Sequence, residues 1–262
     1  MDYRTTLDKR LADRRDGWMD VRTRLLHFAL ITYALPAERL ARHIPADRFE
    51  IPTWQIGGRP MALLSAVPFY DADFHFPRIA PWLKFGFGQT NHRAYVIDRR
   101  TGEHCVWFFG TTLGSPVVHI ARQLWRIPWH PARYELECRY DAAARRYDRY
   151  AYRIDSAWGG ARIDLADSGA PAGLAEGFAS ADEMQLVLTH PITGFFHRLD
   201  GKLGTYAVWH KELTGTRAEA RDLHFSLYER LGLLSAEEMR HPYSAIICPE
   251  IEFHVYLPPR LA

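Results

Sequence analysis

The strongest constraint on the fold is a pair of segments with a strict two-residue period. Arg133 to Tyr140 places Tyr134, Leu136, Cys138 and Tyr140 on one face, and Tyr150, Tyr152 and Ile154 repeat the pattern after a short polar turn. Alternation of this kind on neighbouring segments specifies an antiparallel hairpin with one buried face. Strand character recurs along the chain. Val21 to Tyr33 reads as a first long strand. Phe49 to Trp54, Pro60 to Tyr70, Leu83 to Phe87, Arg93 to Asp98 and His104 to Thr111 follow, separated by turn-type breaks at Gly57-Gly58, Pro77 to Pro81, Thr90-Asn91 and Arg99 to Gly102. Gly194 to Arg198, Leu203 to Leu213 and Ile251 to Leu257 complete the set. Many strands without a strand-helix-strand rhythm predict a mainly β (α+β) fold: a closed, largely antiparallel β-barrel or strongly curved sheet with short peripheral helices.

The helices are few. Thr6 to Arg15, Pro36 to His43 and His224 to Leu231 are short, and Ser180 with Glu183 makes a capping-box start for a helix running to His190. Ser168 to Gly177, rich in Gly, Ala and Pro, reads as a surface loop. Residues 1–262 are expected to form a single domain, with 1–20 as an N-terminal helical extension. Its acidic residues, Asp8, Asp13 and Asp16, and the lack of an apolar core argue against a secretory or transit segment.

Charge and composition exclude several partners. The 33 basic and 31 acidic residues are interspersed, so no single-sign field is available for nucleic acid. Phe28 to Leu35 is far shorter than the roughly 20 apolar residues of a membrane-spanning helix. Cys105, Cys138 and Cys248 lie far apart in apolar runs, as reduced thiols of a cytoplasmic protein would. The sequence carries no dinucleotide-binding glycine pattern, no phosphate-binding GxxxxGK[ST] loop, no GxSxG elbow and no HExxH helix.

One stretch concentrates candidate chemistry. Ser115 to Trp125 reads as a helix with an apolar stripe of Val118, Ala121, Leu124 and Trp125; Pro128 and Pro131 then force an extended path through Trp129 and His130. This stretch, with Leu63 to Phe69, Asn91 to Val96 and Val106 to Phe109, resembles the YqjF-like family of uncharacterised bacterial proteins, grouped with the acetoacetate decarboxylase-like superfamily. The resemblance runs in motif order from about Leu26 to His210. It implies a closed barrel around a small-molecule cavity, often in oligomers. In decarboxylases of that superfamily the matching segment carries Gly-Phe-Pro-Lys-Lys, whose first lysine forms an imine with a β-keto acid while the second lowers its pKa. Trp129 and His130 stand at those two lysine positions here, and neither side chain can form a Schiff base with a ketone. The chain has four lysines in all, Lys9, Lys84, Lys202 and Lys211.

The expected function is therefore a small-molecule pocket protein acting without a cofactor, as a lyase, isomerase or cyclase that moves a proton on a small oxo or carboxylate compound. His130 is the expected acid or base, and Arg122 the expected anion holder. Trp129, Arg93, Tyr95, Asn91, Trp107, Lys84 and His210 are the expected substrate-binding residues. The alternative is a non-catalytic carrier on the same barrel, with the Trp129 indole filling the place of the lost nucleophile. Two questions of orientation stay open: whether Arg93 and Tyr95 or His92 face the cavity, and whether Phe108 or the pair Trp107 and Phe109 does. Asp71, Asp73 and His75 would share one face of a continuous strand and so could meet a metal, although acidic residues after Pro68-Phe69-Tyr70 also suit a solvated loop. No metal is expected.

Overall fold

A computed structural model describes residues 2–15 and 17–262. Met1 and Asp16, both within the expected N-terminal extension, lie outside the described residues. The chain opens with α1 (Tyr3–Ala12), β1 (Val21–Leu35), α2 (Ala37–Ala41), β2 (Phe49–Glu50), β3 (Trp54–Ile56) and β4 (Arg59–Phe76). β5 (Ala80–Asp98), β6 (His104–Leu113), α3 (Val117–Trp125), β7 (Trp129–Pro131), β8 (Arg133–Asp141), β9 (Arg146–Asp155) and β10 (Ala161–Pro171) follow. The last third comprises α4 (Ala181–Leu188), β11 (Thr193–His197), β12 (Leu203–His210), β13 (Thr216–Phe225), α5 (Ser226–Arg230), α6 (Ala236–Met239) and β14 (Ser244–Leu261).

Strands β1, β4, β5, β6, β11, β12 and β14 pair in that order, and β14 returns to β1 from Val21↔Val255 to Thr32↔Ser244, so the ring closes into a barrel. All its pairings are antiparallel except β6 with β11. Closure removes the exposed edges that an open sheet of this size would carry. Strand β14 also belongs to a second layer. Its residues Ile246 and Ile247 pair with β13, from which β10, β9 and β8 extend. The predicted hairpin is the rim of that layer, with Leu136 opposite Tyr152 and Cys138 opposite Tyr150.

Two apolar clusters result. One fills the space between the barrel wall and the outer layer and includes Ile31, Tyr33, Ala94, Val96, Trp107, Tyr150 and Tyr152. The other lies inside the barrel and includes Leu25, Phe69, Phe74, Phe108 and Trp129. The hydroxyls of Tyr150 and Tyr152 both donate to the carbonyl of His27, at 2.7 and 2.9 Å, tying the layers together without leaving a buried polar group unpaired.

Bulges set which side chains point inward. In β1, Val21 and Leu25 face the interior, but His27 has a positive φ of 51° and the alternation shifts, so that Phe28 and Leu30 face in beyond it. Asp73, at φ 59°, does the same in β4 between Asp71 and Phe74. An extra residue in one strand has this effect because side chains alternate with a period of two.

Several expectations need correction. Leu83–Phe87 and Arg93–Asp98 are parts of the single strand β5, because Thr90 and Asn91 pair with Thr112 and Thr111 of β6 instead of turning. The loop expected at Ser168–Gly177 starts later, since β10 runs to Pro171 beside β13. Strand β13 and helix α6 were not anticipated. Asp71, Asp73 and His75 do not share a face: Asp71 is buried, while Asp73 turns outward to ion-pair with Arg24 at 3.0 Å. Among the described residues, no group of three or more His, Cys, Asp or Glu side chains is arranged to hold a metal, and no helix is long and apolar enough to cross a membrane.

Candidate active site inside the barrel

Helix α3 buries Val118 and Ala121 against the barrel and ends at Arg126, whose φ of 55° is left-handed. Pro128 prevents helical continuation, and β7 then pairs in parallel with β6, Trp129 beside Thr111 and His130 beside Thr112. Successive strand residues point to opposite faces. Trp129 therefore lines the barrel cavity, and His130 points toward the outer layer, where its ring stacks on Trp158 at 4.1 Å and 4°. Arg122 donates from Nη1 to the Trp129 carbonyl at 2.5 Å and lies 3.3 Å from His130 Nδ1. The two expected catalytic residues thus meet each other, but neither is among the residues that line the cavity. Burial, followed by the Arg122 and Arg230 charges, pushes His130 down to about 4, which leaves it neutral at pH 7.

The cavity is narrow, with about 60 Å³ of open space inside it. Alternation on β4, β5 and β6 supplies its wall with Phe69 and Asp71, then Gln89, Asn91 and Arg93, then Val106 and Phe108. The orientation questions resolve accordingly. Arg93 and Asn91 face in, as does Phe108. His92 is fully buried on the outer side against Trp158, Phe225 and Tyr228, and both of its ring nitrogens lack hydrogen-bond partners. Trp107 lies on that outer side too, 5.6 Å from the Phe49 ring. Tyr95 is buried inside the barrel, its hydroxyl 2.8 Å from Ser65 Oγ, and is not in the cavity lining.

The remaining expected residues are dispersed. Lys84 is exposed near the β4–β5 tip, 3.7 Å from Asp73. Lys211 pairs with Glu252 at 2.9 Å, and Lys9 and Lys202 are exposed as well. His210 is buried beyond the cavity wall, stacked on Phe253 at 5.4 Å and packed against His190 with ring centroids 4.3 Å apart. Each of its ring nitrogens lies 2.7 Å from a backbone carbonyl, of Lys211 and of Thr189.

Asp71 is the feature that the sequence-based assignment of site residues missed. Its Oδ1 accepts from the Thr23 hydroxyl at 2.9 Å, and its Oδ2 is buried with no partner. Burial raises its carboxyl to about 7, with the Thr23 bond opposing that shift. The signal was present in the parity of Val67, Phe69 and Asp71: the acid continues the inward face of an apolar run. Arg93 donates from Nη2 to the Leu188 carbonyl at 2.7 Å, and its Nε is buried without a partner. Asn91 Oδ1 accepts from Thr111 Oγ1 at 2.8 Å and from Gln89 Nε2 at 3.1 Å, which orients its amide NH2 as the free donor. A titratable carboxyl, a guanidinium and an oriented amide thus line one mostly apolar cavity, a set suited to binding a small anion and exchanging a proton with it.

The closed barrel has the fold of acetoacetate decarboxylase-like enzymes and holds an interior cavity. An enduracididine biosynthesis enzyme, MppR, in complex with pyruvate superposes with a TM-score of 0.60 at 10% identity, over 92% of this chain and 90% of that one. Acetoacetate decarboxylase from Legionella pneumophila gives 0.54 at 12% identity over 98% and 95%, and an acetoacetate decarboxylase-like enzyme from Sphingomonas wittichii RW1 gives 0.54 at 9% over 95% and 94%. The sequence matches the DUF2071 family, described as an uncharacterized conserved protein, over residues 22–252, and the chain belongs to that family. No curated protein matches it.

Proposed function

We propose that this protein is a cofactor-independent enzyme that transfers a proton at the carbon next to the carbonyl of a small oxo compound, without an imine intermediate. The observation that carries this reading is Asp71: a carboxyl inside the cavity, with one oxygen free and a pKa near 7. A base poised there is half ionised at neutral pH and strong enough to act on a carbon acid. In the forward step Asp71 takes the α-proton, the C–H electron pair becomes a C=C bond, and the carbonyl electrons move onto oxygen. The Asn91 amide N–H groups stabilise that enolate oxygen, and Arg93 holds an anionic substituent such as a carboxylate. Return of the proton from Asp71 to the same or another carbon completes the reaction. The exposed positions of the four lysines support a route without an amine nucleophile, and the pyruvate bound by the MppR structure supports a small oxo-acid ligand.

The test is α-proton exchange in deuterium oxide with pyruvate, acetoacetate and larger oxo acids. We expect exchange by the wild-type protein, a loss of about 100-fold or more in Asp71→Asn, and retention in His130→Ala. Loss in His130→Ala with retention in Asp71→Asn would move the acid–base role to His130. Binding without exchange by any variant would make the protein a carrier.

A further inference from the structure

We infer that a second anion site lies on the outer side of the barrel wall, where Arg122, Arg230 and His130 converge to take a dianionic phosphate group. It is separate from the proton-transfer chemistry inside the barrel, because alternation along β7 sends Trp129 into the cavity and His130 away from it. Three elements supply the site: α3 brings Arg122, β7 brings His130 and α5 brings Arg230. Arg122 Nη1 lies 3.3 Å from His130 Nδ1, and a guanidinium can only donate, so Nδ1 accepts and the proton of the neutral imidazole sits on Nε2. Among the described residues nothing bonds to that Nε2, and it is not enclosed. Trp158 fixes the ring by stacking on it at 4.1 Å and 4°. The result is a fixed neutral donor beside two cations.

The charge of this cluster is unbalanced. Among the described residues neither Arg122 nor Arg230 forms an ion pair with a carboxylate. These two arginines are the charged groups that act on the His130 ring, and no carboxylate opposes them. Behind the cluster His92 is fully buried with both ring nitrogens unpartnered, its ring edge-on to Trp158 at 5.8 Å and to Tyr228 at 5.2 Å. Tyr228 stands on α5 two residues before Arg230, and its buried hydroxyl also lacks a partner. Arginines and histidines gathered without an acid leave a positive field that an oxyanion completes. Arg122 keeps Nη1 on the Trp129 carbonyl, which leaves Nε and Nη2 for a ligand. Two guanidiniums match two negative charges, and the oxygens of a phosphate can accept from both and from the His130 Nε2–H. A monocarboxylate would leave one cation unmatched.

Calorimetric titration of the full chain with inorganic phosphate, glycerol 3-phosphate and acetate tests the site. Inorganic phosphate is expected to bind in equimolar ratio and about tenfold or more tighter than acetate, because only the dianion pairs with both arginines. Arg122→Gln and Arg230→Gln should each weaken phosphate binding about tenfold or more, and Arg93→Gln inside the barrel should leave it unchanged. A second measurement needs no variant to fold. In the wild-type protein phosphate should raise the midpoint of the His130 imidazole titration followed by NMR, since a neighbouring anion favours the imidazolium. No saturable phosphate binding, acetate binding equally tightly, or an unmoved His130 midpoint would overturn the inference. Loss of phosphate binding in Arg93→Gln with retention in both outer variants would overturn it too, by placing the anion in the barrel. Glycerol 3-phosphate binding as tightly as the free ion would assign the site to the phosphoryl group of a metabolite, and its exclusion would assign it to inorganic phosphate.

Discussion

A carboxyl buried without a counter-ion destabilises a fold whenever it is ionised, and Asp71 is in that position. Its ordinary value of 3.8 applies to the unfolded chain, and about 7 to the folded one, so between those values the folded state holds the proton more tightly. The contribution of Asp71 to stability is therefore greatest below about pH 4, declines as pH rises to about 7, and is constant beyond. Asp71→Asn is expected to be more stable than wild type at pH 8, by on the order of a few kcal/mol, with the gap closing near pH 4. Urea unfolding at the two pH values measures this, and an equal gap at both would contradict it. The buried histidines act in the opposite sense. Burial holds His92 at about 3 and His130 at about 4, so their contribution is present above about 6.5 and is lost as pH falls below it. At this scale the sequence was half legible. Arg93, Asn91 and Trp129, expected from the sequence to bind substrate, line the cavity, although the face that carries Arg93 was open in the sequence. Asp71 was not expected there, because an acid after an aromatic run looks like the start of a loop until pairing with Leu25 and Phe87 shows it to be mid-strand.

Most of the elements were legible because long apolar or alternating runs leave the backbone few alternatives. The face that each run presents was not. The bulges at His27 and Asp73 exchange inside for outside partway along β1 and β4, and a bulge is a property of pairing, not of local composition. Strand β13 was missed for a related reason: Thr216 to Phe225 is mostly exposed on one side and gains strand geometry from pairing with β10. The helix-to-strand junction shows the same limit. Pro128 correctly predicted an extended Trp129-His130 segment, yet only the parallel pairing with β6 decides that the indole turns inward and the imidazole outward. The junction itself contains an improvable residue. Arg126 holds a left-handed conformation that costs an L side chain energy and glycine almost none, and its side chain is exposed. Arg126→Gly is accordingly expected to stabilise the protein by about 0.5–1 kcal/mol. A drop in the midpoint of thermal unfolding would show instead that the arginine side chain contributes more than the strain costs.

The whole molecule can be read as a barrel that needs a second sheet to cover it. Strand β14 serves both layers, β12 pairing with its C-terminal half and β13 with its N-terminal end, so the outer sheet buries one side of the wall while the interior keeps an open cavity. Long-range closure of this type was foreseeable only as a class. The strand count and the lack of crossover helices pointed to a barrel, whereas the partition into a closed ring of seven and an outer extension depends on pairings far apart in sequence. The result is an interior in which Asp71 faces Thr23 and shares its cavity with Arg93. The most direct measurement is the pH profile of α-proton exchange with pyruvate under subsaturating conditions. The rate should rise with pH along a single ionisation centred near 7, and Asp71→Asn should remove that limb. A profile flat from pH 5 to 9, or an unchanged midpoint in Asp71→Asn, would contradict the claim that a buried aspartate inside the barrel moves the proton.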